Sequence, residues 1–199
     1  MKILRTWLVN VLALSALAIT SCNGDASQDP PDTTQTSPGN GDALQYIFDN
    51  NQALGACEDS FDQESASLGS QVYAVDEQTK LVQLQCSLAA YQGVYEYYLY
   101  SETAQGVQVK PLMFAGYIPN DSGNFEPQET RILAGLPDYN PEEKLLSIFT
   151  KGRGLADCGT FAEYRLVGEK LELQEYRVKL ECDGNYIEPT EYPLVYPTQ

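Results

Sequence analysis

The chain has 199 residues, 28 of them Asp or Glu against 12 Lys or Arg, for a formal charge of −16, and it contains no histidine. This charge excludes a phosphate-contacting nucleic-acid surface, which needs clustered positive residues. The missing imidazole excludes Ser-His-Asp and Cys-His catalysis and histidine-based zinc sites.

The first residues fall into three parts. Lys2 and Arg5 give a positive start, Leu8 to Ile19 is an apolar run of 12 residues interrupted by Asn10 and Ser15, and Thr20 and Ser21 precede Cys22. This is the layout of a secretory signal. The run is shorter than the ~20 residues of a membrane-spanning helix. Ile19-Thr20-Ser21-Cys22 resembles the lipobox of bacterial lipoproteins. The resemblance implies removal of residues 1–21, a diacylglycerol thioether on the Cys22 sulfur and an acyl chain such as palmitate on its amine. Two or more chains hold a protein stably at a membrane, where one does so marginally. With Lys2 and Arg5 removed, 10 basic residues face 28 acidic ones and the formal charge is −18. Such a surface is not drawn to anionic headgroups, so membrane attachment rests on the lipid at Cys22. The acidity serves solubility, and it would also attract a basic partner. Trp7, the single tryptophan, leaves with the signal.

Residues 22–42 follow as the lipidated cysteine and a tether of Asn, Gly, Asp, Ser, Gln, Pro and Thr. Such a stretch has too little apolar surface to order itself, and a coil of about 20 residues spans roughly 25 Å. Residues 43–199 read as one globular domain, long enough for its own core. Leu44, Ile47 and Phe48 fall at helical spacing and predict one helix over Ala43 to Leu54, with Asp42 as N-cap and Gly55 closing it. The rest predicts strands: Val72 to Val75, Lys80 to Cys86, Val94 to Tyr100, Val107 to Phe114, Arg131 to Leu133, Leu145 to Thr150, Phe161 to Val167 and Lys170 to Leu180. The last two meet across Gly168-Glu169, a hairpin turn. The expected fold is mainly β, an antiparallel sandwich or barrel of about eight strands with one short N-terminal helix.

Cys57, Cys86, Cys158 and Cys182 remain inside the domain, an even set in an exported chain. Four cysteines allow three pairings. Leu54-Gly55-Ala56-Cys57 is similar to Leu155-Ala156-Asp157-Cys158, and the run Lys80 to Cys86 is similar to Tyr176 to Cys182. Each pair then brackets a similar hairpin-like unit, which favours Cys57–Cys86 and Cys158–Cys182. Without Cys-x-x-Cys or a histidine, these cysteines are not expected to catalyse redox exchange.

Lys151-Gly152-Arg153-Gly154 concentrates positive charge in an acidic chain. Lys151 and Arg153 are candidate binding residues for a carboxylate, a phosphate or an acidic partner. The alternative is a tight connection with Arg153 paired to local carboxylates. The Gly-Lys-Ser/Thr ending of a phosphate loop is missing, so no cofactor is expected. Tyr91, Tyr95, Tyr97, Tyr98 and Tyr100 suit recognition if exposed, or packing on both faces of one strand. Glu58-Asp59 and Glu142-Glu143 are adjacent carboxylates on turns, a weak signal for hydrolysis. Asn120 to Asn124 lacks calcium-loop spacing and reads as a turn.

One wider resemblance rests on Leu84-Gln85-Cys86, Ala90-Tyr91-Gln92, Gly135-Leu136-Pro137, the run from Phe149 through Lys151-Gly152-Arg153-Gly154-Leu155-Ala156-Asp157-Cys158-Gly159, and Cys182-Asp183-Gly184. From about Ala43 to Pro197 the chain resembles a bacterial family catalogued as domain of unknown function 1176. The resemblance implies an exported envelope protein and no particular activity. That family's usual tryptophans are absent here, so a role resting on them does not transfer. The expected function is a non-enzymatic envelope lipoprotein that binds a protein partner. A lysozyme-type inhibitor is the alternative, and a carboxylate-dependent hydrolase is a third. If Cys22 is the anchor, Cys22→Ser releases a folded domain into the soluble fraction. Retention of the variant in the membrane pellet would refute the anchor.

Overall fold

The computed structural model describes residues 40–197. Cys22 and the signal lie outside them. Helix α1 (Asn40–Asp49) carries Ala43 and Ile47 on its fully buried side. It begins two residues before the expected cap, so Asp42 sits in its first turn instead. The helix expected over Ala43 to Leu54 is broken at Asn50, whose side-chain amide bonds the Tyr46 carbonyl at 2.8 Å. A second piece, α2 (Asn51–Leu54), follows and ends at Gly55 with φ 57, as the cap reading required. A further helix, α3 (Gln63–Gly69), was not anticipated. It has no apolar stripe beyond Ala66, and Asp62 caps it by accepting from the Ser65 amide at 3.1 Å. One expected helix is therefore corrected to three.

The described residues hold eleven strands, where about eight were expected. In chain order these are β1 (Gln71–Ala74), β2 (Thr79–Leu88), β3 (Gly93–Thr103), β4 (Gly106–Pro111), β5 (Phe114–Pro119), β6 (Phe125–Thr130), β7 (Leu133–Asn140), β8 (Leu145–Lys151), β9 (Gly159–Val167), β10 (Lys170–Lys179) and β11 (Leu194–Tyr196). The stretch Val107 to Phe114 splits at Leu112-Met113 into β4 and β5. Arg131 to Leu133 is only the approach to β7. Strands β6 and β11 gave no sequence signal, because β6 is largely exposed and contains Pro127, while β11 has three residues. The β9–β10 hairpin closes across Gly168, φ 56, as expected.

All pairings are antiparallel. Nine strands form one sheet in the order β1-β2-β3-β7-β8-β9-β10-β11, with β4 beside β3, and β5 pairs with β6. The long strand β3 joins the two halves of the sheet. Its residues Gly93–Tyr95 pair with β7, while Tyr98–Thr103 pair with β4 on the same edge. The sheet curls so that one face encloses a common core. Leu81, Tyr97 and Leu99 meet Leu146 and Ile148 of β8, Tyr164 of β9 and Val178 of β10 there. Phe114 of β5 enters the same core, and the hydroxyls of Tyr164 and Tyr176 donate to the carbonyls of Ala115 and Tyr117.

The other face of β2–β3 is covered by the helical segment. Val82, Leu84, Tyr98 and Tyr100 pack with Ala43, Ile47 and Ala66. The two faces of the Tyr-rich strand thus serve two cores, which is the packing alternative and not the recognition one. Tyr91 alone of those five tyrosines is largely exposed.

Candidate functional site

Both disulfides join the expected partners, Cys57 with Cys86 and Cys158 with Cys182. The first fastens the segment after α2 to β2, with both cysteines fully buried. The second fastens the start of β9 to the chain after β10. Candidate binding residue Lys151 ends β8, and Arg153 stands in the glycine-rich loop between β8 and Cys158.

Arg153 is committed within this loop. Its Nε and Nη2 donate to the two oxygens of Asp157 at 2.7 and 2.5 Å, and Nη2 also reaches the Cys182 carbonyl at 2.9 Å. Asp157, almost wholly out of water, further accepts from the Gly184 amide at 2.6 Å. Lys179 Nζ donates to the Asp157 carbonyl, Asp183 Oδ1 and the Asn185 carbonyl at 2.6, 2.7 and 2.8 Å. This lattice clasps the two chains that the disulfide joins. Arg153 pairs locally, as the alternative reading had it. Lys151 has no ion-pair partner among the described residues, and its amide donates to Gln92 Oε1 at 2.9 Å.

The glycines of the run have a steric cause. A Cβ on Gly159 would stand 2.0 Å from the Thr150 carbonyl oxygen, and one on Gly152 would stand 2.9 Å from the Cys158 sulfur. The motif from Lys151 to Gly159 is therefore first a close-packed clasp. It presents Leu155 outward, 70% exposed, beside Tyr91 at 43%. A Cβ on Gly154 would lie 3.5 Å from the Tyr91 ring. Leu88, the last residue of β2, is also exposed, and the turn that follows it meets the end of β8 through Gln92. Leu88, Tyr91 and Leu155, with Lys151 nearby, thus belong to one end of the sheet.

A second cluster lies buried behind the Cys57–Cys86 bridge. Glu96 of β3 is inaccessible to solvent, and its Oε2 accepts from the Tyr98 hydroxyl and, at 3.2 Å, from Arg131 Nη2. The same Nη2 donates to the Tyr98 oxygen at 2.7 Å and the Leu54 carbonyl at 3.1 Å. Glu96 Oε1 has no hydrogen-bond partner among the described residues. Burial, then the bond to Glu96, pushes the Tyr98 hydroxyl well above its ordinary pKa of 10.0. This cluster is nearly silent in the sequence. Its only signal was one carboxylate inside an otherwise apolar and aromatic strand, and Arg131 comes from 35 residues away.

The remaining candidates are turns. Asn140 Oδ1 accepts from the amides of Glu142 and Glu143, which stand exposed between β7 and β8. Asn120 Oδ1 accepts from the Ser122 and Asn124 amides. A cavity of about 410 Å³ opens near Leu99 and Leu166, with Lys110 and Glu169 paired at 2.8 Å on its lining.

Two outcomes follow from these geometries. Arg131→Met leaves the Glu96 carboxylate buried and unpaired. It should cost about 3 kcal/mol in urea unfolding, the low end for a buried pair because Arg131 is partly in water. A loss below ~1 kcal/mol would mean that water already reaches Glu96. The second outcome concerns acid. Hydrogen bonds from Arg153 hold Asp157, and those from Lys179 hold Asp183, well below the usual carboxylate value of 3.8. A lowered native pKa contributes stability above the unfolded value that is lost as pH falls below it. The melting temperature should stay level from about pH 7 to 5 and drop below about pH 4. Asp157→Asn should melt lower at neutral pH and show a shallower drop. An equally steep drop in the variant would remove Asp157 as a source.

The Escherichia coli (strain K12) protein named "Uncharacterized protein YpfG" is similar to this chain, with 27% identity over 128 residues. The aligned part is 64% of this chain and 35% of that protein, so the chain spans about a third of its relative's length. No solved structure matches. The model of one family, described as protein of unknown function (DUF1176), matches residues 21–199, and the chain belongs to that family.

Proposed function

We propose that this chain is a non-enzymatic lipoprotein of the bacterial envelope, held to a membrane through Cys22, that binds a protein partner outside the cytoplasm. Residues 1–21 act as the export signal, residues 22–42 as the tether, and the domain from residue 43 to 199 carries the binding face. The observation supporting this reading is the end of the sheet where Leu88, Tyr91 and Leu155 stand exposed beside Lys151. Apolar and aromatic groups outside the core, gathered at one end of the sheet, suit protein contact. The loop that presents Leu155 is already ordered by the Arg153–Asp157 pair and the Cys158–Cys182 bridge. A preordered face loses less conformational freedom on binding. Arg153 is committed to Asp157, and Lys151, with no ion-pair partner among the described residues, is a cation open to a partner.

A photoreactive residue at position 91 or 155 should trap one discrete partner in living cells, and Lys151→Glu should weaken the capture several-fold. Position 174, exposed on β10, is the control. The same adduct pattern from all three positions would overturn this face as the binding surface. The acidic charge supports a second reading, inhibition of a basic lysozyme-type enzyme. Unchanged cell-wall lysis with excess purified protein would remove that second reading.

A further inference from the structure

The Cys57–Cys86 bridge has a third neighbour with metal-binding chemistry. The two sulfurs and a Glu96 carboxylate oxygen lie within 4.8 Å of one another, and all three residues are inaccessible to solvent. Tyr98 and Arg131 both bond Oε2, which leaves Oε1 as a buried acceptor with no donor among the described residues. Such a group is costly to leave unsatisfied in a protein interior. The opposite helical segment is also constrained. Gly55, Cys57 and Glu58 adopt φ values of 57, 60 and 50, the left-handed region that non-glycine residues avoid. The disulfide pins this segment over the sheet.

We propose that reduction of this disulfide converts the trio into a site for one divalent cation of the zinc class. Cys57 Sγ, Cys86 Sγ and Glu96 are the protein ligands, and water fills the fourth position. Thiolates and a carboxylate are accepted zinc ligands, at about 2.3 Å for sulfur and about 2.0–2.2 Å for oxygen. A tetrahedral ion therefore needs donor atoms roughly 3.3–3.8 Å apart. The Glu96 oxygen already lies within 4.8 Å of both sulfurs. The sulfurs must separate, by side-chain rotation in a segment the broken bond has released, and the carboxylate closes whatever distance remains. Charge favours the ion as well. Two thiolates and Glu96 are matched by the cation together with the Arg131 guanidinium, so the loaded site is neutral, as the oxidised Glu96–Arg131 site is. In a chain without histidine, a thiolate–carboxylate set is the available donor chemistry.

The reductant is a dithiol of the Cys-x-x-Cys class. Its thiolate attacks one sulfur through a mixed disulfide, and its second thiol then closes its own disulfide. Two electrons and two protons pass to Cys57 and Cys86, and the bond between them breaks. The cation then displaces both thiol protons to solvent. The metal restores in coordination the fastening that the disulfide supplied. The inference is independent of the partner-binding face, which the Cys158–Cys182 bridge braces.

The test uses the full chain with Cys22→Ser, reduced with a phosphine under argon and titrated with Co²⁺. A thiolate-to-cobalt charge-transfer band should saturate at one ion per chain and vanish on adding Zn²⁺. The band should be absent from the unreduced protein and from Cys57→Ser/Cys86→Ser. Glu96→Gln, which keeps an oxygen for Tyr98, should retain the band with at least about tenfold weaker affinity. A second measurement needs no site variant. Zn²⁺ should slow alkylation of Cys57 and Cys86 in the reduced chain and leave Cys158 and Cys182 unprotected. No band at millimolar cobalt, a band that survives Cys57→Ser/Cys86→Ser, wild-type affinity in folded Glu96→Gln, or equal alkylation of both pairs would each overturn the proposal.

Discussion

The structure depends on one pair of strands buried on both faces. From Leu81 to Cys86, every residue of β2 is out of water, as are Glu96 to Tyr100 of β3. One face supplies Leu81, Tyr97 and Leu99 to the core of the curled sheet, and the other supplies Val82, Leu84 and Tyr98 to the core under the helices. Strands β4 and β7 share the outer edge of β3. The polar groups of this pair must then find partners inside the protein. The Tyr97 hydroxyl donates to Gln83 at 2.8 Å, Gln85 donates to the Ser65 carbonyl at 3.1 Å, and Arg131 reaches in to Glu96. Glu96 is the member whose partners are incomplete, which is why the chemistry collects there.

The two disulfides hold segments that secondary structure leaves weakly attached. The first secures the left-handed stretch after α2 to the buried pair. The second holds the irregular chain after β10, together with the ion pairs of Arg153 and Lys179. Sequence separations of 29 and 24 residues correspond to roughly 3–4 kcal/mol each through the entropy removed from the unfolded chain. The same fastening lets the loop present Leu155 while its own charged groups stay satisfied.

Much of the fold was legible locally. The alternation of Val94 to Tyr100 assigned Tyr97 and Tyr98 to opposite faces, Gly168 marked its hairpin, Gly55 ended its helix, and the similarity around the cysteines selected their pairing. Strand β6 was not legible, because Phe125–Thr130 buries too little to show period-two alternation. Helix α3 was missed for the same reason, since only Ala66 is buried. Lys151 and Arg153 looked alike in sequence. They separate in space because Asp157 lies one loop turn from Arg153, while Lys151 has no such partner among the described residues.

The sequence by itself determined the β-rich class, the cysteine pairing and the expectation of an exported, lipid-anchored chain. All of these rest on composition and on patterns within a few residues. Tertiary structure alone decided that the Lys151–Gly159 run is a clasp, that Tyr91 and Leu155 share one end, and that Glu96 sits behind Cys57 and Cys86. Those relations join residues tens of positions apart. They depend on the curl of the sheet and on the demand that each buried charge be met from elsewhere in the chain, neither of which a local pattern encodes.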